Sequence, residues 1–151
     1  KFHDMALSSL VQSARHAPAL DERRVRYRPA KRDNLDGDEG LNSGDTGPLR
    51  AYQQMWFVGD HSIVGGSGAV QPLSMIALDW VVQGAGKLTL KSGERFPPSD
   101  PDPLAEAPDL TYRWSPLKKW RQGPIAPWEV HASVQERRTA RGDYRPGSLK
   151  I

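Results

Sequence analysis

One succession of three features restricts the fold more than any other part of the chain. AYQQMWFVG, residues 51–59, is apolar and aromatic, as a buried β-strand is. His61 and a glycine-rich stretch follow, and QPLSMIALDWVVQGAG then predicts a helix, with Pro72 in its first turn and Gly84 or Gly86 at its end. The apolar face of that helix comprises Leu73, Ile76, Ala77, Trp80 and Val81. This order of strand, glycine loop and helix is typical of α/β proteins.

Length and composition favour one domain. A chain of 151 residues with 37% hydrophobic content can bury a single core. The absence of cysteine excludes disulfides, thiolate metal sites and a cysteine nucleophile. With 21 basic against 18 acidic residues, the charge predicts no strong field for nucleic acid or for a membrane surface. No apolar run approaches the roughly 20 residues that span a bilayer, and no apolar signal-peptide region is found near Lys1.

The amino-terminal segment has helical spacing from about Leu7 to Arg24. We expect Ser8 or Ser9 to cap this helix, and Pro18 to end or kink it. Its apolar stripe comprises Leu7, Leu10, Val11 and Ala14.

Two other segments are predicted to lack regular structure. Residues 33–48 are acidic and glycine-rich, which indicates a flexible surface loop. Residues 87–151 hold most of the prolines, and we interpret them as an irregular tail that packs on the neighbouring body through Trp114, Trp120 and Trp128. The tail has too few apolar residues for a core of its own.

His61 is the candidate site residue, and three interpretations of it compete. An imidazole on a loop after a strand suits a general base, because sites in open α/β sheets lie at the carboxyl ends of strands. It could also be a metal ligand, or a structural histidine beside a tight turn. Spacing alone favours the structural interpretation.

The neighbours of His61 offer little further chemistry by themselves. Asp60 is a poor orienting partner, because adjacent residues of a strand point to opposite faces, so it is expected to be solvated or to stabilise a turn. Ser67, in GGSGA, resembles a nucleophile elbow but is too far from both the strand and the helix, so we expect a loop serine.

Metal and nucleic-acid sites have weak support. The four histidines (His3, His16, His61 and His131) have no ligand-like spacing. The basic stretch RRVRYRPAKR, residues 23–32, could touch phosphates, but a solvated face or pairing with the acidic loop is the favoured interpretation.

Three stretches together resemble a known family. They are SARHAPALDERRVRYRP (13–29), WFVGDHSIVGGSG followed by LSMIALDWVVQGA (56–85), and VHASVQERRTARGDYRPGSL (130–149). In this order they are similar to the C-terminal half of the α/β-hydrolases found among type VI secretion lipase effectors. The family pattern W-F-x-G-x-H-S-x-x-G-G falls on Trp56, Phe57, Gly59, His61, Ser62, Gly65 and Gly66.

The resemblance implies a serine hydrolase with a Ser, Asp and His triad in that chain order. His61 would be the general base, and the serine and aspartate would lie upstream of Lys1, since no elbow serine and no aspartate after a strand is expected in this chain. The charged set Arg15, His16, Asp21, Glu22, Arg23 and Arg24 also matches the family, and we interpret it as a structural ion-pair cluster at a helix end.

The sequence therefore predicts an α/β fold: residues 1–151 as the C-terminal part of one α/β-hydrolase domain, with a mostly parallel sheet flanked by helices and a loop-rich tail. The expected activity is ester hydrolysis on lipid or phospholipid substrates, with the upstream half as partner and no metal or organic cofactor. The alternative is a binding or scaffold domain that retains the fold without the chemistry. Neither the oligomeric state nor the location, in the bacterial cytoplasm or delivered by a secretion system, follows from the sequence.

Overall fold

The computed structural model describes residues 6–24, 27, 31–45, 47, 50–67, 70–84, 100–107 and 123–151. The elements in these ranges are strand β1 (Ala14–His16), strand β2 (Tyr52–Gln54), helix α1 (His61–Val64), helix α2 (Gln71–Gly84), a 3-10 turn (Pro127–Glu129) and helix α3 (Ala132–Ala140).

The two strands are parallel, and β2 lies between two extended neighbours. In register, Ala14 is opposite Tyr52. Beyond the regular strands, two single parallel bridges continue the pairing. One pairs Ala19 with Phe57, and the other, on the opposite side, pairs Trp56 with Val130. The described sheet is therefore a parallel arrangement around the apolar run that the sequence predicts as a strand.

The helix predicted from Leu7 to Arg24 is wrong. Residues 14–16 form a strand, and Leu10, which the helical stripe would bury, is 90% exposed. Pro18 has no N–H to donate within a helix, but its carbonyl accepts a hydrogen bond from the Phe57 N–H at 3.0 Å. Residues 14–16 thus pair with β2 instead of forming the helix that Pro18 already disfavours. Ser8 closes a turn and does not cap a helix, since its carbonyl accepts a hydrogen bond from the Val11 N–H.

Helix α2 confirms the prediction made for QPLSMIALDWVVQG. It begins at Gln71 with Pro72 in its first turn and ends at Gly84. Val81 is the one exception on the predicted apolar face, since it is 38% exposed. The other four residues of that face, Leu73, Ile76, Ala77 and Trp80, are buried in the core with Leu20, Trp56, Phe57, Val58, Ile63, Val130 and Val134.

Arg15 joins β1 to the end of α2. Its guanidinium donates a 2.6 Å hydrogen bond to the Trp80 carbonyl and lies 4.8 Å from the centre of the Trp80 ring. A Cβ at position 84 would lie 2.1 Å from Nε of Arg15, so any larger residue there would displace the Arg15 side chain. This contact sets how closely the helix end approaches the strand.

The described part of the acidic loop consists of turns and is attached to β2. Leu35 is buried, and so is Asn42, whose amide bonds both the carbonyl and the N–H of Tyr52, at 2.8 and 3.2 Å. Arg50 pairs with Asp36 at 2.6 Å. The flexibility expected of residues 33–48 stays a prediction.

The described tail packs on the same core. Val134 of α3 is fully buried, and the Ser148 hydroxyl donates to the Leu20 carbonyl at 2.7 Å. The sequence did not predict α3. The expectation that Trp128 packs against the body is wrong, since it is 77% exposed; Trp114 and Trp120 lie outside the described residues.

The α/β class is confirmed by a parallel pair of strands with helices packed beside it. Its assignment to the hydrolase fold stays a prediction. None of the helices in the described ranges combines the length and the apolar character that crossing a membrane requires.

Candidate active site

His61 opens the short helix α1, directly after the apolar run. Gly59 turns the chain with a φ of 115°, and Asp60 caps the helix by accepting a 2.9 Å hydrogen bond from the Ile63 N–H. His61 is exposed, and its imidazole lies 5.2 Å from the ring of Tyr27. A glycine turn and a capped helix thus present one imidazole to solvent at the carboxyl end of a strand.

Asp21 lies at the same edge of the sheet. It follows the extension of β1, and its N–H donates to the Gly59 carbonyl at 2.9 Å while its carboxylate accepts from the Gly59 N–H at 2.7 Å. Asp21 is therefore bonded to a residue two positions before His61. The expectation that no aspartate follows a strand in this chain is wrong, because it depended on the incorrect helix from Leu7 to Arg24.

The carboxyl group of Asp21 is enclosed by the tail. The hydroxyl oxygen of Tyr144 lies 3.0 Å from each of the Asp21 carboxyl oxygens, so its one proton is shared between them. Burial raises the pKa of Asp21 to about 6, against the hydrogen bonds from Gly59 and Tyr144 and the charge of Arg137, which favour the ionised form. Burial also raises the pKa of Tyr144 well above its ordinary value, as does the negative charge of Asp21.

Glu22 is buried but fully occupied. The Arg24 guanidinium pairs with it through a 2.7 Å contact, and its carboxylate also accepts from the backbone N–H groups of Arg24 and His61, at 2.7 and 3.2 Å. Burial alone would raise the pKa of Glu22, yet these hydrogen bonds outweigh it and the pKa lies below its ordinary value. Glu22 thus fixes the start of α1.

Asp60 is the third carboxylate here, and it is also buried. One oxygen caps α1, and the other lies 3.7 Å from the Arg24 guanidinium. The prediction that Asp60 stabilises local structure is confirmed, although it is not solvated.

The predicted ion-pair cluster is present in part. Arg24 joins Glu22 and Asp60, while Arg15 turns away to α2 and His16 bonds the Gln54 side chain at 2.8 Å. The segment that carries these residues is not a helix, because Ala14–His16 form strand β1.

The basic stretch makes two further structural contacts. Lys31 pairs with Glu129 at 3.1 Å, and the Arg24 guanidinium lies 4.3 Å from the centre of the Tyr27 ring. Both cations are thus engaged by protein groups.

Ser67 is an exposed loop residue, as predicted. Its N–H donates to the Ser62 carbonyl at 2.9 Å, and helix α1 stands where an elbow would need a strand. Ser74, by contrast, is buried with its hydroxyl bonded to the Ile63 carbonyl at 2.6 Å. Neither hydroxyl has the setting of a nucleophile elbow.

The other histidines in the described ranges have structural contacts. His131 caps α3 and stacks on Phe57, with ring centres 4.8 Å apart, and burial lowers its pKa. His3 lies outside the described residues. Within the ranges given above, no group of three or more histidine, aspartate or glutamate side chains could hold a metal ion.

Sequence reasoning did not predict that Asp21 and Tyr144 meet at the sheet edge that carries His61. For Asp21 the signal was available: the apolar run up to Leu20 ends in an acid, as a strand leading into a site does. For Tyr144 no local signal exists, because it meets Asp21 across 123 positions of the chain.

The comparisons with known proteins identify one family. A family model described as "T6SS, Phospholipase effector Tle1-like, catalytic domain" matches residues 1–84. The match includes Asp21 and His61, ends with α2 and leaves Tyr144 outside. No curated protein and no solved structure matches the chain.

Proposed function

Because the chain belongs to the family of Tle1-like phospholipase effectors of type VI secretion, through their catalytic domain, we propose that it supplies part of the active site of a serine ester hydrolase. The substrates are lipid or phospholipid esters. Residues 1–151 form the C-terminal part of an α/β-hydrolase domain, which a secretion system delivers.

The observation that carries this proposal is the meeting of two strand ends. Asp21 follows β1, and His61 follows β2. Two hydrogen bonds join Asp21 to Gly59, because the Asp21 N–H donates to the Gly59 carbonyl and the Gly59 N–H donates to the Asp21 carboxylate. In a serine hydrolase triad, a histidine accepts the serine proton and later returns it to the leaving group, while a buried carboxylate orients and stabilises the imidazole. His61 takes the first role and Asp21 the second.

Asp21 fits the acid's role better than its two acidic neighbours. The carboxylate of Glu22 is saturated by Arg24, and Asp60 caps α1 with one oxygen while its other oxygen lies 3.7 Å from the Arg24 guanidinium. The two oxygens of Asp21 offer roughly four acceptor positions, and two donors use them, the Gly59 N–H and the Tyr144 hydroxyl. Among the described residues the carboxylate thus keeps acceptor capacity, and in our proposal this capacity receives a ring N–H of His61.

The nucleophile is a serine on an elbow that precedes this chain. No metal or organic cofactor takes part, since the serine attacks the ester carbonyl directly and the triad handles the proton.

The test uses the protein expressed from its complete reading frame. His61→Ala should abolish turnover of a phospholipid ester and labelling by a fluorophosphonate probe, because the serine loses its base. His16→Gln, at a histidine whose ring bonds the Gln54 side chain, is the control and should retain both signals. Labelling of His61→Ala at the wild-type rate would show that His61 is not the base.

The alternative is a non-catalytic binding or scaffold domain. It predicts that the wild-type protein neither reacts with the probe nor hydrolyses any ester. A reactive serine that depends on His61 excludes this alternative.

A further inference from the structure

The tail beyond the family match contacts the proposed acid. We infer that Tyr144 is a positioning residue that holds Asp21 ionised and correctly oriented toward His61. This inference rests on the proposed function, since it assumes that Asp21 is the acid of the triad. It assigns a catalytic task to a segment that the family model does not cover.

The geometry around Asp21 is closed on several sides. The Tyr144 hydroxyl lies 3.0 Å from each carboxylate oxygen, and the Gly59 N–H donates from the β2 side. The charged groups that act on Asp21 are Arg137, which favours its ionised form, and Asp60, which opposes it. Tyr144 is thus the only side-chain donor to Asp21 among the described residues.

Tyr144 is itself held by α3. The Arg137 guanidinium lies 5.1 Å from the centre of the Tyr144 ring and donates to the carbonyls of Pro103 and Ala105, at 2.7 and 2.9 Å. The Tyr144 N–H bonds the Arg141 carbonyl at 3.0 Å. A phenol locked in this way keeps its direction, which is what an orienting group requires.

The chemistry suits a permanent donor. Burial and the nearby carboxylate keep the Tyr144 hydroxyl protonated throughout the working range of an esterase, so it donates at every relevant pH. A hydrogen bond to a carboxylate favours the charged form, and only the charged form stabilises the imidazolium of the reaction. Without this donor, burial should raise the pKa of Asp21 further, so that its carboxyl group keeps the proton up to a higher pH.

A second tail contact provides the matched control. Ser148 bonds the Leu20 carbonyl at 2.7 Å, one residue before Asp21, but does not touch the carboxylate. A role limited to anchoring the tail would make Tyr144→Phe and Ser148→Ala behave alike. A positioning role separates them.

The experiment measures phospholipid ester hydrolysis against pH in the complete protein, for wild type, Tyr144→Phe and Ser148→Ala. For Tyr144→Phe we expect kcat at pH 7 to fall roughly 10-fold with little change in KM. The acidic limb of the kcat/KM profile should move upward by roughly one to two pH units, as removal of a hydrogen bond to a charged group predicts. Ser148→Ala should lower Tm and leave the profile in place.

Two outcomes overturn the inference, and they differ from failure of the proposed function. If Asp21→Asn and His61→Ala are inactive but Tyr144→Phe has the wild-type rate and profile, Tyr144 has no positioning role. If Ser148→Ala shifts the profile as much as Tyr144→Phe, the effect is general loosening. Wild-type activity in Asp21→Asn would instead remove the proposed acid.

Direct titration of the Asp21 carboxyl carbon by NMR gives an answer that does not depend on turnover. The midpoint should be higher in Tyr144→Phe than in wild type and Ser148→Ala. Equal midpoints in all three proteins contradict the inference.

Discussion

At the scale of one residue, the ionisation of Asp21 links the proposed catalytic role to stability. Its carboxyl group is buried, held by Gly59 and Tyr144, and has a pKa of about 6 in the folded chain against 3.8 as its ordinary value. A carboxylate that is harder to ionise when folded lowers stability wherever it is charged. In the proposed mechanism, Asp21 is thus a residue that function requires and stability disfavours.

The sign of this effect can be measured. Between pH 4 and 6 the folded state binds more protons at Asp21 than the unfolded state does. The contribution of Asp21 to the free energy of unfolding therefore falls as pH rises and levels off above pH 6. The shift in the pKa of Asp21 corresponds to a total loss of about 3 kcal/mol of unfolding free energy. The difference in free energy of unfolding between Asp21→Asn and wild type should grow by this order across that range in urea titrations. Asp143→Asn, at a carboxylate that is 80% exposed, is the control and should keep the wild-type trend; a flat difference for Asp21→Asn contradicts the account.

Gly59 has a conformation that only glycine tolerates in this place. Its φ is 115°, and a Cβ would lie 2.6 Å from Cγ2 of Ile63. Gly59→Ala should lower the free energy of unfolding by about 2–4 kcal/mol, from backbone strain together with overpacking. Gly66→Ala is matched in φ, at 80°, but meets no atom within 4 Å, so it should cost about 1–2 kcal/mol. Equal losses would show that the contact with Ile63 is unimportant.

At the scale of elements, the sequence predicts α2 well and β1 poorly. Helix α2 has 14 residues, a proline in its first turn and a broad apolar face, so local signals agree with its packing. Strand β1 has three residues and no propensity of its own, and it exists because β2 offers backbone partners. Such a strand is set by tertiary pairing, which periodicity in one segment does not contain.

Helix α1 depends on its cap, since four residues form little helix alone. Asp60→Ala removes the acceptor for the Ile63 N–H and should cost about 1 kcal/mol of unfolding free energy. Asp60→Asn keeps an acceptor and should lose less. Thermal or urea denaturation of both variants checks this, and an equal loss would indicate that charge pairing with Arg24 matters more than the cap.

At the scale of the whole molecule, distant segments meet at the edge that carries His61. The tail contributes Tyr144 to Asp21 and Ser148 to Leu20, so the matched region and the tail form one packed body in the described ranges. The resemblance in the sequence predicts His61 as the base, and this role stays a prediction. Asp21 required the correct strand, and Tyr144 required the three-dimensional contact, because residues 123 positions apart share no local pattern.

Ser148 tests how firmly the tail is joined. Ser148→Ala leaves the buried Leu20 carbonyl without its partner and should cost about 1–3 kcal/mol of unfolding free energy. Ser43→Ala removes an exposed hydroxyl bonded to the Asp38 carbonyl and should change it by less than about 0.5 kcal/mol. If both variants unfold at the same urea concentration, the tail contact contributes nothing measurable.

The central claim is that two adjacent parallel strands deliver the acid and the base of one hydrolase site. The most direct measurement compares the rates at which wild type, Asp21→Asn and Glu22→Gln of the complete protein hydrolyse a phospholipid ester, with each variant confirmed as folded. The account predicts a loss of roughly 10³- to 10⁴-fold for Asp21→Asn, as for other triads that lose their acid, and a much smaller loss for Glu22→Gln. Asp21→Asn within tenfold of the wild-type rate would contradict it.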